Sequence, residues 1–280
     1  MTSLPNPKDR GRKGSFDGPE ISSATIVIAG LARSPQHSLL ALTHALIGVP
    51  GLSSYKIQLQ YHLIEGCRKD RSDKRSLEQL VGKQRLPAVP QTLETYPDHP
   101  ESFGTAEIEA RAAVLRNPYS RHSLKSVNNH LRLLGLLNTI SPVVNTDLVI
   151  FARADLVPVG DVNLEPFLEL ARTCVVTPSW HTWGGVNDRF AMMPRSLQSI
   201  YFERVGLAMS HMQTGLPIHG ETFLAKALAG IRVASVIESQ FARCQSGGAV
   251  KNENFHATRH VARQAFIRFQ ERWDNSKGIP

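Results

Sequence analysis

The chain is 280 residues long, with a formal net charge of +8, 41% hydrophobic residues and 20% charged residues. That balance is typical of a soluble globular domain and excludes a mostly disordered chain. Three widely spaced cysteines (Cys67, Cys174 and Cys244) form no CxxC pair and support neither a disulfide framework nor a zinc knuckle. The longest apolar stretch, 39–52, is broken by Thr43, His44, Gly48 and Pro50 and is too short to span a bilayer. No apolar h-region opens the chain, so the expectation is a cytoplasmic protein. Basic clusters at 8–13, 68–74 and 259–272 suit a phosphate-bearing partner, although a solvated surface explains each of them equally simply.

Residues 1–22, rich in Gly, Pro, Ser and charge, are expected to form a disordered basic leader. The first firm element is 24–29 (ATIVIA), an apolar β-branched run ending at Gly30, the pattern of a buried strand feeding a ligand-facing turn. Residues 35–47 follow as a helix with Leu39, Leu42, Leu46 and Ile47 on its apolar side, closed by Pro50 and Gly51. A second strand at 55–63 alternates through Ile57, Leu59, Tyr61 and Leu63. Residues 66–104 carry a charge run and a Pro-rich stretch, and are expected to leave the core as an excursion. Helices are expected at 105–116, capped by Thr105, and at 123–138, where Leu124, Val127, Leu131, Leu134 and Leu137 recur at three-and-four spacing. Residues 147–153 (DLVIFAR) read as a central strand and 173–177 as another. Helices at 194–211 and 219–229, a final strand at 231–237 and a basic helix at 257–273 complete the order. No internal repeat is visible. The alternation predicts an α/β domain with a mostly parallel central sheet flanked by helices.

The strand 147–153 runs straight into Arg153-Ala154-Asp155. This places a cation and a carboxylate at the carboxyl end of a central strand, the edge at which open α/β sheets bind ligands. Asp155 is a candidate ligand for a hard divalent cation facing the phosphates of a nucleotide-linked donor. A purely structural Arg153–Asp155 ion pair explains the same residues. The segment 178–191 (PSWHTWGGVNDRFA) is more unusual. Gly184 and Gly185 permit a sharp turn and close approach to a ligand, and Trp180 and Trp183 offer apolar faces on which sugar rings pack. Asn187, Asp188 and Arg189 then set an amide, a carboxylate and a guanidinium in succession. A glycine-rich turn with two core tryptophans accounts for the glycines but poorly for this polar triplet.

Arg-x-Asp at a strand end, followed about thirty residues later by Trp-Gly-Gly-x-Asn-Asp-Arg-Phe-Ala, resembles a family of GT-A-type glycosyltransferase-like proteins. The likeness extends to the strand-Gly-x-x-Arg element at 26–33, the helix at 128–137, and His219-Gly220-Glu221 with Leu224. It is weak over 24–33 and good over 128–236, and matches neither 66–104 nor the C-terminal helix. It implies a Rossmann-like GT-A fold over 23–280, with a nucleotide-sugar donor and a hydroxyl acceptor as partners. Asp155 stands where such enzymes keep the metal-binding carboxylate of an Asp-x-Asp motif, implying Mn²⁺ or Mg²⁺. Here position 153 is Arg rather than Asp. The ion would then need diphosphate oxygens, water and His219; alternatively, Arg153 itself neutralises the diphosphate. The resemblance also implies that Asp188 faces the sugar or acceptor, as general base or hydrogen-bond acceptor. Glu221 is the alternative base, or simply a carboxylate favoured at a helix N-terminus. Trp183, Gly184, Gly185, Asn187 and Arg189 are expected around the donor, and Arg33 at a nucleotide phosphate.

Asn128, Asn129 and Arg132 lie on the polar side of the 123–138 helix, as nucleotide contacts or as solvated face. His122, His130, His181 and His211 have no ligand spacing, which disfavours zinc. The Gly-x-Ser-x-Gly elbow and the phosphate-binding P-loop are both missing, so acyl hydrolysis and P-loop chemistry lack their usual devices. Two other classes stay open. One is a nucleic-acid-binding protein that grips phosphates with its basic leader and with Arg259, Arg263 and Arg268. The other is a catalytically degenerate relative that binds sugar or nucleotide, motivated by the missing first Asp.

Overall fold

The structure, a computed structural model, describes residues 22–66, 70, 72–83, 86, 89–114, 123–214, 218–251, 253 and 255. The expected leader, apart from Ser22, and the expected helix at 257–273 lie outside the described residues, as do the basic clusters at 8–13 and 259–272.

The strands are β1 (Ser23–Leu31), β2 (Lys56–Ile64), β3 (Gln91–Tyr96), β4 (Leu148–Arg153), β5 (Leu156–Val159), β6 (Val175–Pro178), β7 (Phe190–Pro194), β8 (Val233–Val236) and β9 (Gln240–Arg243). The helices are α1 (Pro35–Ile47), α2 (Lys74–Lys83), α3 (Ala106–Val114), α4 (Ser123–Ile140), α5 (Glu165–Leu170), α6 (Arg195–Phe202), α7 (Ala208–Gln213) and α8 (Gly220–Ala227). Seven strands form one sheet in the order β3-β2-β1-β4-β7-β6-β8, and β5 and β9 form a separate antiparallel pair. Within the large sheet β7 runs antiparallel to both its neighbours and the other pairings are parallel.

The continuous apolar character of β1 and β4 follows from having both faces covered. Ala24, Ile26 and Ile28 of β1, with Leu148, Ile150 and Ala152 of β4, join Leu39, Leu42 and Leu46 of α1, Leu77 of α2 and Phe167 of α5 in one core. The intervening Val27, Ala29, Val149 and Phe151 pack on the opposite face against Leu133, Leu136 and Leu137 of α4, Tyr201 and Phe202 of α6, and Leu224 of α8. The other side of α4 (Val127, Leu131 and Leu134) packs on α3, α7 and α8 through Ala112, Met212 and Phe223. Among the described residues no helix is long and apolar enough to cross a membrane.

Most expected elements form within a residue or two of their predicted bounds. The differences are informative. The 66–104 segment, expected to leave the core, supplies α2 and the sheet's edge strand β3, and Leu77 and Val81 of α2 are buried. The single helix expected at 194–211 is instead β7's last residue, α6, a 3₁₀ turn over Arg204–Leu207 and α7. The strands β5, β7 and β9 and the helix α5 were not expected.

Two features of this topology make a site. The chain moves outward from β1 through β2 to β3, then returns to place β4 on β1's other side. The carboxyl ends of β1 and β4 therefore flank the reversal of strand order, where open sheets bind ligands. Because β7 is antiparallel to β4, its amino end, with Asp188 and Arg189 just before it, comes to that same edge.

Candidate functional site

A cleft of about 450 Å³ opens at this edge, within the range of small-molecule sites. Its floor is Gly30 near the end of β1, Arg33 just after it, Arg153 at the end of β4 and Asp155 just after it; its walls include Trp183, Asp188, Arg189, Arg243, His130 of α4, His219 just before α8, and Gly220 and Glu221 at its start. The strand ends are tied together by backbone: Arg153 N donates to Arg189 O at 3.0 Å, and Ala154 N to Ala29 O at 2.9 Å. Gly30 takes φ +110°, a conformation that favours glycine.

Arg153 grips Asp155 with two nitrogens, Nε to Oδ1 at 3.0 Å and Nη2 to Oδ2 at 2.8 Å. Its third nitrogen, Nη1, lies 3.9 Å from Asp188 Oδ2. Burial works against the ionised form of Asp155, but the charge and hydrogen bonds of Arg153, with the charges of Arg33 and Arg189, together outweigh it and hold the carboxyl below its ordinary value. The same opposition operates at Asp188, where burial is overcome by Arg153 foremost, then by His130, with Arg189 and Arg204 adding to it. Glu221 has the opposite outcome. Burial and the neighbouring Asp188 charge push it up to about 8, so it carries its proton at neutral pH.

Two histidines flank these carboxyls: His130 Nδ1 is 3.6 Å from Asp188 Oδ2, and His219 Nε2 is 3.4 Å from Glu221 Oε2. Burial lowers both to about 4, so both are neutral imidazoles at pH 7. Behind Asp188, Arg204 is buried over the Tyr201 ring and hydrogen-bonds the Tyr201 carbonyl. On the far wall, Glu253 Oε1 accepts from Arg243 Nε at 2.8 Å and from Arg189 Nη1 at 3.3 Å, while Glu253 Oε2 lies 3.2 Å from His181 Nε2.

The glycine-rich segment is a tightly wound wall. His181 and Trp183 take φ of 49° and 45°, left-handed values that cost a bulky residue energy, and Gly184 follows at 83°. Trp183 is 38% exposed and faces the cleft, whereas Trp180 is buried and donates Nε1–H to Ser239 O. Gly185 is needed for close approach. Val186 N donates to Glu221 O at 3.0 Å, and a Cβ on Gly185 would come 2.0 Å from that oxygen.

The structure therefore brings Arg33, Arg153, Asp155, Trp183, Asp188, Arg189, His219 and Glu221 to one cleft. Three expected donor contacts stand elsewhere. Gly185 packs on the α8 backbone and Gly184 shapes the turn. Asn187 is fully buried, its amide donating to Trp180 O at 2.7 Å and its Oδ1 accepting from Arg189 N at 2.9 Å. Of the lesser candidates, Asn129 lines the cleft, while Arg132 pairs with Glu109 and Asp98.

Sequence reasoning missed His130, Arg204, Arg243 and Glu253. His130 had a usable signal, since it continues the helix line through Ser126 and Leu133, which also face the cleft. The others had none, lying in or beyond elements too short to recognise.

A divalent cation fits these residues poorly. Both oxygens of Asp155 are taken by Arg153, and the Asp155 side chain is 5% exposed. Among the described residues no group of three or more His, Cys, Asp or Glu side chains is placed to hold a metal.

No protein-family model and no curated sequence matches the chain. Solved structures do. The mannosyltransferase Ktr4p from S. cerevisiae superposes with a TM-score of 0.51 at 10% identity, over 82% of this chain and 74% of that one. The apo-form glycosyltransferase GlyE of Streptococcus pneumoniae TIGR4 gives a TM-score of 0.42 at 13% identity, over 77% of this chain and 45% of that one, too low to argue from. The fold is thus a Rossmann-like α/β arrangement similar to that of this mannosyltransferase, with a mostly parallel central sheet flanked by helices.

Proposed function

We propose that the protein is a glycosyltransferase that moves a sugar from a nucleotide-sugar donor to a hydroxyl acceptor. The observation that carries this reading is the convergence of four arginines (Arg33, Arg153, Arg189 and Arg243) with an ionised Asp188 in one cleft, at the carboxyl edge of a glycosyltransferase fold.

In the reaction, the bond between the sugar's anomeric carbon and the diphosphate oxygen breaks. Its electron pair leaves with the nucleoside diphosphate, and the acceptor oxygen bonds to the anomeric carbon. Arg33 and Arg153 face the departing charge, the electrostatic task that dominates such transfers. Asp188, already ionised, receives the acceptor proton. Glu221 holds its own proton near neutrality and so serves as a hydrogen-bond donor to a sugar or phosphate oxygen rather than as the base. Trp183 offers an exposed ring against which a sugar packs.

A thermal-shift panel of UDP-, GDP-, CMP- and dTDP-sugars tests the reading, followed by turnover assays with the donor that binds. At least one donor is expected to raise the melting temperature by mass action. Asp188→Asn is expected to keep that shift while turnover falls by about 10²-fold or more. If no donor shifts the melting temperature, the proposal fails. Donor binding without turnover in the parent protein would point instead to the degenerate binding relative.

A further inference from the structure

We infer that this cleft neutralises its ligand's diphosphate with arginine side chains, chiefly Arg33 and Arg153 with Arg243 beside them, and needs no divalent cation to do so. The glycosyltransferase reading supplies the identity of the ligand as a nucleoside diphosphate; the arginine site stands on its own geometry.

Where a metal-dependent site would set two carboxylates around an ion, this chain sets a guanidinium locked onto the remaining one. The lock occupies Nε and Nη2 of Arg153; Nη1 lies 3.9 Å from Asp188 Oδ2, and the side chain lines the cleft and is 23% exposed. Asp155 thus becomes a clamp that orients a cation, and an oriented guanidinium matches two phosphate oxygens better than a mobile point charge.

Arg33 reaches the same floor from the loop after β1 and is half-buried. Its charge acts on Asp155 across the floor, and its side chain has no ion pair within 4.0 Å and no hydrogen bond among the described residues. An arginine in that state keeps its full donor set for a ligand. Arg243 uses Nε on Glu253 and lines the cleft. Arg189 is buried and is held by Glu253 under the Trp180 ring, so it supplies field more than direct contact. Cations on three separate segments (33, 153 and 243) thus converge on one opening. A diphosphate carries the charge and the several acceptor oxygens to engage them together.

Isothermal titration of the full chain in EDTA tests this, using UDP, GDP and inorganic pyrophosphate, repeated with MnCl₂ in place of EDTA. At least one nucleoside diphosphate is expected to bind in EDTA with an affinity within about threefold of that in Mn²⁺. Arg33→Ala is expected to weaken binding about tenfold or more in both buffers. Arg33 is the informative position because its removal leaves no carboxylate stranded, and an unchanged melting temperature verifies the fold.

Binding that appears only with Mn²⁺ would overturn the inference and leave the glycosyltransferase reading standing. Binding in EDTA that Arg33→Ala leaves unchanged would overturn the assignment of Arg33. Pyrophosphate binding with no gain from a nucleoside would support the arginine site and sink the nucleotide-sugar reading. No binding of any of the three in either buffer would overturn the arginine site, and would sink the glycosyltransferase reading as well only if no donor sugar shifted the melting temperature.

Discussion

Asp188 and Glu221 face the same arginines and nevertheless hold opposite charge states at neutral pH. The difference lies in which partner is nearer. Arg153 approaches Asp188, whereas Glu221 sits against neutral His219 and feels Asp188 as a like charge. The consequence is a measurable alkaline limit. The folded chain keeps the Glu221 proton to about pH 8, against 4.5 for the ordinary carboxyl. Its favourable contribution is therefore complete below pH 4.5 and lost as pH rises through 8. Glu221→Gln, which keeps a hydrogen-bond donor but cannot ionise, is expected to flatten the fall in melting temperature between pH 6.5 and about 9, as followed by thermal scans. The same variant should move the alkaline fall in turnover upward, since a neutral donor stays in place. At this scale the sequence was half legible. Arg153, Asp155 and Asp188 stand out because charged residues beside long apolar runs need an explanation. Asn187 looked like a ligand contact and is a loop clamp, because a spacing cannot tell which way an amide turns.

Among the elements, α8 is positioned by contacts with two glycines rather than by a cap. Gly185 lets the 183–186 wall lie on the Glu221 carbonyl, and a Cβ on Gly220 would come 2.4 Å from Asp188 Oδ2. Gly185→Ala must therefore push the wall off the helix start, and is expected to cost about 1–3 kcal/mol, measured by urea unfolding. It should also weaken donor binding, because Glu221 moves with the helix. Gly206→Ala is the control, since a Cβ there meets nothing within 4 Å. Elements with a full apolar stripe or run, such as α1, α4, β1 and β4, were readable from sequence. β3 was not, because an edge strand with one poorly covered face has an alternating half-buried pattern and here follows a Pro-rich stretch. β5, β7 and β9, at four or five residues each, are too short for periodicity to declare them.

For the whole molecule, the buried imidazoles set the acid limit as Glu221 sets the alkaline one. Burial lowers His130, His181 and His219 to about 4, so the fold keeps them neutral where the unfolded chain would protonate them. Their stabilising contribution is present above pH 6.5 and drains away as pH falls toward 4. The two trends oppose each other and together predict a stability maximum near pH 6.5, with a steeper acid than alkaline side, checked by melting temperature across pH 4–9. The sheet order was not legible beyond its mostly parallel character, since pairing partners are far apart in sequence and β7's reversal depends on where the chain turns.

The role of Glu253 also orders events during synthesis. Arg189, Arg243 and His181 are assembled around this one carboxylate. The ribosome delivers β4, β7 and α8 well before it, so a nascent chain must hold Arg189 without its counter-charge until Glu253 emerges from the exit tunnel. A premature stop between residues 244 and 253 should therefore yield a chain with every strand of the sheet but with Arg189, Arg243 and His181 lacking their shared carboxylate.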